Sequence, residues 1–109
     1  MATININEAN NQLSSGSPSF AVPSSPVPGS QLPQATFKNN TSLSLTLSFS
    51  TTPFTESEYA IAGNGSVTPT WKSSVTAQAY GFTVSEATSK RDTGVRPANG
   101  SITISVMSA

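Results

Sequence analysis

The chain has 109 residues, a formal net charge of zero and only 9% Asp, Glu, Lys and Arg, where an ordinary soluble domain has about 25%. Five Lys and Arg scattered among five acids supply no basic stripe, which argues against nucleic acid as a partner. With no His and no Cys, Ser-His-Asp and Cys-His catalysis and thiolate metal sites are excluded on inventory alone.

Ser and Thr make up roughly a third of the chain. The expected surface is therefore rich in hydroxyls and nearly free of charge. Such a surface has little like-charge repulsion to hold copies apart, and zero net charge favours association.

Residues 1–34 read as an extended, Pro/Ser-rich N-terminal arm. Five of the eight prolines fall between Pro18 and Pro33. Each removes a backbone donor and restricts φ, which argues against a central strand or a helix. The sparse apolar residues Ile4, Ile6, Phe20, Val22, Val27 and Leu32 are expected to anchor this arm on a neighbouring subunit. Ile4 and Ile6 have strand spacing, and Ser19-Phe20-Ala21-Val22-Pro23 is the segment expected to dock.

Residues 35–109 read as a small antiparallel β-sandwich or jelly-roll-like domain, so that the chain is all-β. Phe37, Leu43, Leu45, Leu47 and Phe49 share one parity, and Ser42, Ser44, Thr46, Ser48 and Ser50 hold the other. Alternation of this kind marks a strand with one dry and one wet face. Lys38-Asn39-Asn40 divides the run in two, because Asn-Asn is turn chemistry. Tyr59 and Ile61 alternate next, and Gly63-Asn64-Gly65 reads as a hairpin turn. Val67, Pro69 and Trp71 follow in phase, with Pro69 at an edge or a bulge. Ala77 and Ala79, then Tyr80, Phe82 and Val84, suggest another strand whose parity changes near Gly81, where a bulge is expected. Residues 86–100 read as a polar loop closed by Asn99-Gly100, before a last strand carrying Ile102, Ile104 and Val106.

A body of about 75 residues without disulfide or metal holds a small core and gains from subunit contacts. The leading functional expectation is therefore a structural subunit of a homo-oligomeric or polymeric assembly, a virion or phage component or a surface filament. Its partners are copies of itself. In composition, a polar leader before a Ser/Thr-rich sandwich resembles appendage subunits and capsid-decoration proteins, a resemblance without a residue-level motif.

The alternative is a lectin-like carbohydrate-binding module. Tyr59, Trp71 and Tyr80 are candidates for a sugar platform, since Trp and Tyr join a flat apolar face to a polar handle. The hydroxyl face of residues 42–50 is a further candidate surface for a sheet, a polysaccharide or ice. Glu56 and Glu58 form the only close acidic pair, read as a solvated loop pair. Asp92-Thr93-Gly94 matches the aspartic-protease triplet in letters, but Lys90, Arg91 and Arg96 flank it, and it reads as a polar turn. Asn39, Asn40, Asn64 and Asn99 stand in Asn-x-Ser/Thr patterns and read as turn residues.

No enzyme, cofactor or metal site is expected. No apolar run approaches the roughly 18 residues of a membrane span, so no membrane insertion is expected. Met1-Ala2-Thr3-Ile4-Asn5 has neither a basic nor an apolar segment. The expectation is synthesis in the cytoplasm without a Sec-type signal peptide and a final place in an extracellular or virion assembly.

Overall fold

The computed structural model describes residues 2–86 and 95–107. They form an all-β sandwich of eleven strands with one 3-10 turn at Gly29–Gln31. The first sheet contains β1 (Ala2–Ala9), β2 (Gln12–Ser15), β5 (Ala35–Asn39) and β8 (Ser66–Val67), in the order β2-β1-β5-β8. The second contains β3 (Ser19–Val22), β6 (Leu45–Phe49), β7 (Glu58–Ile61), β10 (Ala79–Glu86) and β11 (Ala98–Val106), in the order β3-β11-β10-β6-β7. A short ribbon joins β4 (Val27–Pro28) to β9 (Ser74–Val75).

The expected arm is corrected by these pairings. β1 lies inside the first sheet, antiparallel to β2 and parallel to β5 from Ala2↔Ala35 to Ile6↔Asn39. β3 runs parallel to β11 from Ser19↔Thr103 to Val22↔Val106. Seven buried apolar side chains therefore come from before residue 35: Ile4, Ile6, Leu13, Phe20, Val22, Val27 and Leu32. The prolines punctuate these strands without entering a central one. Pro18 precedes β3, Pro23 follows it, and β3 is an edge strand, where a missing donor is tolerated. The division at residue 34 consequently does not separate an arm from a body. The sandwich is also not purely antiparallel, since both early strands add in parallel.

Residues 35–50 follow the expected alternation. Leu45, Leu47 and Phe49 are buried, Thr46 and Ser48 face outward, and the strand is broken after Asn39. Gly63-Asn64-Gly65 does form a turn, with Asn64 at φ 59. It is not a hairpin: β7 pairs with β6 in one sheet, and β8 pairs with β5 in the other. The expected bulge at Gly81 is absent, because β10 pairs with β11 in unbroken register from Ala79↔Thr103 to Val84↔Ala98. Asn99-Gly100 lies inside β11, not in a loop. Gly100 sits opposite Phe82, whose ring fills the space of a side chain; a Cβ there would stand 2.5 Å from Phe82 Cζ.

The centre of the sandwich is aromatic. Phe37 meets Phe82 edge-on at 5.4 Å and Phe49 at 6.3 Å. Phe49 packs on Phe54 at 5.5 Å, and Phe54 on Trp71 at 4.5 Å. Edge-to-face pairs contribute about 0.5–1.5 kcal/mol beyond their burial.

One polar side chain sits fully inside. Asn39 ends β5 with no exposed surface. Its Nδ2 donates to Leu43 O at 2.7 Å and Ala62 O at 3.0 Å, and its Oδ1 accepts from Thr41 N at 2.9 Å and Thr41 Oγ1 at 2.6 Å. One amide thus ties the 40–43 loop to the turn after β7. Asn39→Ala removes the partner of the part-buried Leu43 and Ala62 carbonyls and of the buried Thr41 N–H, and is expected to lower stability by about 2–3 kcal/mol. Urea denaturation checks this against Asn40→Ala, an exposed neighbour expected to cost about 0.5 kcal/mol or less.

Candidate functional site

The residues expected to reach a neighbour do not face outward. Ile4, Ile6, Phe20, Val22, Val27 and Leu32 are all in the chain's own core, none more than 9% exposed. Alternation within residues 2–7 and 19–22 signals this burial, and proline content masks it.

The aromatic platform does not form either. Trp71 is 9% exposed, stacked on Phe54 with Phe20 edge-on at 5.8 Å, and its Nε1 donates to Pro33 O at 2.9 Å. Tyr80 is buried in β10, and its hydroxyl donates to Thr76 O at 2.5 Å. Tyr59 is half-buried, with its ring 6.4 Å from Phe54 and its hydroxyl accepting from Glu56 N at 3.2 Å. Thr68-Pro69-Thr70-Trp71 lines an open groove of about 460 Å³ with Leu32 and Lys72. Trp71 and Tyr80 are thus committed to the core, and Tyr59 alone of the three keeps part of its surface outside.

Glu56 and Glu58 are exposed, Glu58 as the first residue of β7 and Glu56 two residues before it. Among the described residues no three His, Cys, Asp or Glu come together. Asp92 lies outside the described residues. Of the four Asn-x-Ser/Thr patterns, Asn39 is buried and committed to internal hydrogen bonds, Asn64 occupies the left-handed turn, and Asn99 lies in β11. Among the described residues no helix is long and apolar enough to cross a membrane.

Two surface features remain. The first is the outer face of the five-stranded sheet. Inward residues of β10 are Tyr80, Phe82 and Val84, so Ala79, Gly81, Thr83 and Ser85 point out. The registers place Ser48 beside Thr83 and Thr83 beside Asn99, with Gly81 beside Ser101 and Thr103 beside both Ala79 and Ser19. Thr46, Ala60, Ser105 and Ala21 extend the same face. Apart from Asn99 and Glu58, nothing on it exceeds threonine in size. Among the described residues it carries no Lys, Arg or ring. The hydroxyl parity of residues 42–50 signals one strand of this face; its breadth comes from pairing with β10 and β11, far along the chain.

The second is an open cleft of about 440 Å³ at the end of the sandwich, between the β1–β2 hairpin and the 40–43 loop. Asn7, Glu8, Asn11, Asn40, Thr41, Ser42, Leu43 and Val95 line it. Asn10 and Asn11 make the hairpin turn at φ 53 and φ 62, a left-handed pair that Asn tolerates better than most residues.

Compared with known proteins, the chain matches no family model and no curated protein, so its functional reading stands on these two surfaces.

Proposed function

We propose that the chain is a non-catalytic structural subunit that joins copies of itself through the outer face of the five-stranded sheet, in a virion, phage or filament-like assembly. The observation that carries this reading is the face itself: broad, made mostly of Ser, Thr, Ala and Gly, and free of cations among the described residues. Small side chains allow two such faces to approach closely, and the charged group each copy brings, Glu58, lies at the β7 edge of the face. The buried apolar side chains before residue 35 play no part in the contact, since they complete the subunit's own core, and β3 contributes only Ser19 and Ala21 to the face.

Edge-to-edge growth is the competing geometry, and the edges disfavour it. β3 is four residues long between Pro18 and Pro23. β8 has two residues, with Pro69 soon after. The outer side of β2 is occupied by Arg96, through Leu13 N to Arg96 O at 3.1 Å and Arg96 N to Asn11 O at 2.8 Å. β7 is four residues with Glu58 at its start. Short, proline-flanked or covered edges are the devices by which sheets avoid pairing with other chains.

Five strands spaced about 4.8 Å apart give a face roughly 20 Å across. A contact of that size falls at or below the ~800 Å² per partner of standard interfaces, so pairwise association is weak and grows with concentration. Sedimentation equilibrium across a concentration series is expected to show reversible self-association. Gly81→Lys is the discriminating variant. Gly81 is at the middle of the face, and a Cβ there meets nothing within 4 Å, so the fold accepts the change. The lysine is expected to abolish association without altering the melting temperature. A parent chain that stays monomeric throughout, or a Gly81→Lys chain that associates equally well, defeats the reading.

A further inference from the structure

We propose that the end cleft between the β1–β2 hairpin and the 40–43 loop binds a neutral sugar. This site is separate from the sheet face and does not depend on self-association.

The cleft is held in shape by its own hydrogen bonds. Asn11 N donates to Glu8 Oε2 at 2.9 Å across the left-handed turn. Asn40 N donates to Ile6 O at 2.9 Å, and Asn40 Nδ2 donates to Asn5 Oδ1 at 3.1 Å and Asn7 Oδ1 at 3.3 Å. Those bonds leave capacity directed at the cleft. The second Glu8 oxygen, the Asn7 amide nitrogen, the Asn40 amide oxygen, the Asn11 side-chain amide and the Ser42 hydroxyl have no protein partner among the described residues.

The mixture of groups selects the ligand class. Planar carboxylates and amides present paired donors and acceptors that match neighbouring hydroxyls on a sugar ring. Leu43 and Val95 add a small apolar patch for its C–H face. An anion is disfavoured by Glu8, the one charged group in the lining among the described residues. A hard divalent cation gathers six or more oxygens, usually from several carboxylates, and among the described residues the cleft offers one carboxylate. A flat aromatic ligand has no ring to stack on. A volume of about 440 Å³ lies in the range of small-molecule sites.

The test is an amide NMR titration of the full chain with glucose, galactose, mannose and N-acetylglucosamine, each alone, and with calcium chloride alone. At least one sugar is expected to shift the backbone amides of Asn7, Asn11, Thr41 and Ser42 while leaving those of Ser48 and Thr83 in place. Glu8→Gln keeps an acceptor for Asn11 N but removes the charge, and Asn7→Ala removes an exposed amide. Each is expected to weaken that sugar about tenfold, the size of one lost hydrogen bond to a charged or amide group. The proposal is overturned if no sugar shifts the cleft amides, if both variants bind as the parent does, or if calcium alone reproduces the shifts. Because Gly81→Lys lies on the other surface, it is expected to bind sugar normally, which separates this outcome from the fate of the assembly reading.

Discussion

Removal of residues 2–16 is expected to abolish the cooperative unfolding transition. These residues are β1, β2 and their turn. β1 is flanked on both sides, by β2 and by β5, so its loss turns β5 into an edge and strips the ladder from Ala35 to Asn39. Ile4, Ile6 and Leu13 leave with it, at 2%, 0% and 1% exposure. Full burial of each such side chain is worth about 1.5–3 kcal/mol. Domains of this size have a total stability of about 5–15 kcal/mol, so the apolar loss alone approaches the whole margin. The hydrogen bonds of β5 to β1 go as well, and Phe37, which has no exposed surface in the intact sandwich, loses neighbours on that side. Circular dichroism under heating or urea checks the result. A melting temperature close to that of the parent would mean that the segment contributes nothing to the fold, which is what a free arm would show.

The difference between an arm and a pair of strands turns on a distinction that the residues leave open. Ile4 and Ile6 carry a period of two, and Phe20 and Val22 carry another. Both patterns were legible as strands. What a single chain does not display is the partner. β1 meets β5 about thirty residues on, and β3 meets β11 more than eighty residues on, each in parallel. Non-local pairing of this kind follows from burial of the apolar face, and any nearby apolar surface, in the same chain or in another, satisfies the same pattern. Proline density tips such a reading towards an arm, yet the prolines mark strand ends here. The segment 35–50 was legible for the opposite reason. Its alternation is long enough that only one face can be dry, and its break falls at Asn39, where a side chain fills a backbone role.

The two surfaces differ in the same way. The hydroxyl parity of β6 is visible in the chain, but a face becomes a platform only when registers align several strands. Ser48, Thr83 and Asn99 share a row because β6, β10 and β11 are neighbours. The end cleft gathers Asn7, Glu8 and Asn11 from one turn and Asn40 to Leu43 from another, and nothing in their spacing announces the meeting. Both surfaces are polar and small in side chain, whereas the groups that stand out in the sequence, the prolines and the aromatic rings, are those the fold consumes.

Trp71→Ala is expected to destabilise the sandwich by about 3–5 kcal/mol, the usual range for a buried large aromatic. The ring is sandwiched between Phe54, at 4.5 Å and 33° interplanar angle, and Phe20, edge-on at 5.8 Å. Deleting it opens a void beside two rings that cannot collapse freely, since Phe54 is also locked against Phe37 and Phe49. Pro33 O then loses the indole N–H that satisfies it at 2.9 Å. Trp71→Phe separates the two contributions: it retains a ring against Phe54 and leaves only the carbonyl unpaired and a smaller void, so about 1–2 kcal/mol is expected. The ordering parent, then Phe, then Ala in urea midpoints is the result that a core residue produces. A ligand platform produces a different one, with all three variants equally stable and only binding affected. Equal midpoints would therefore return Trp71 to the surface and reopen the groove beside Pro69 as a place for a sugar.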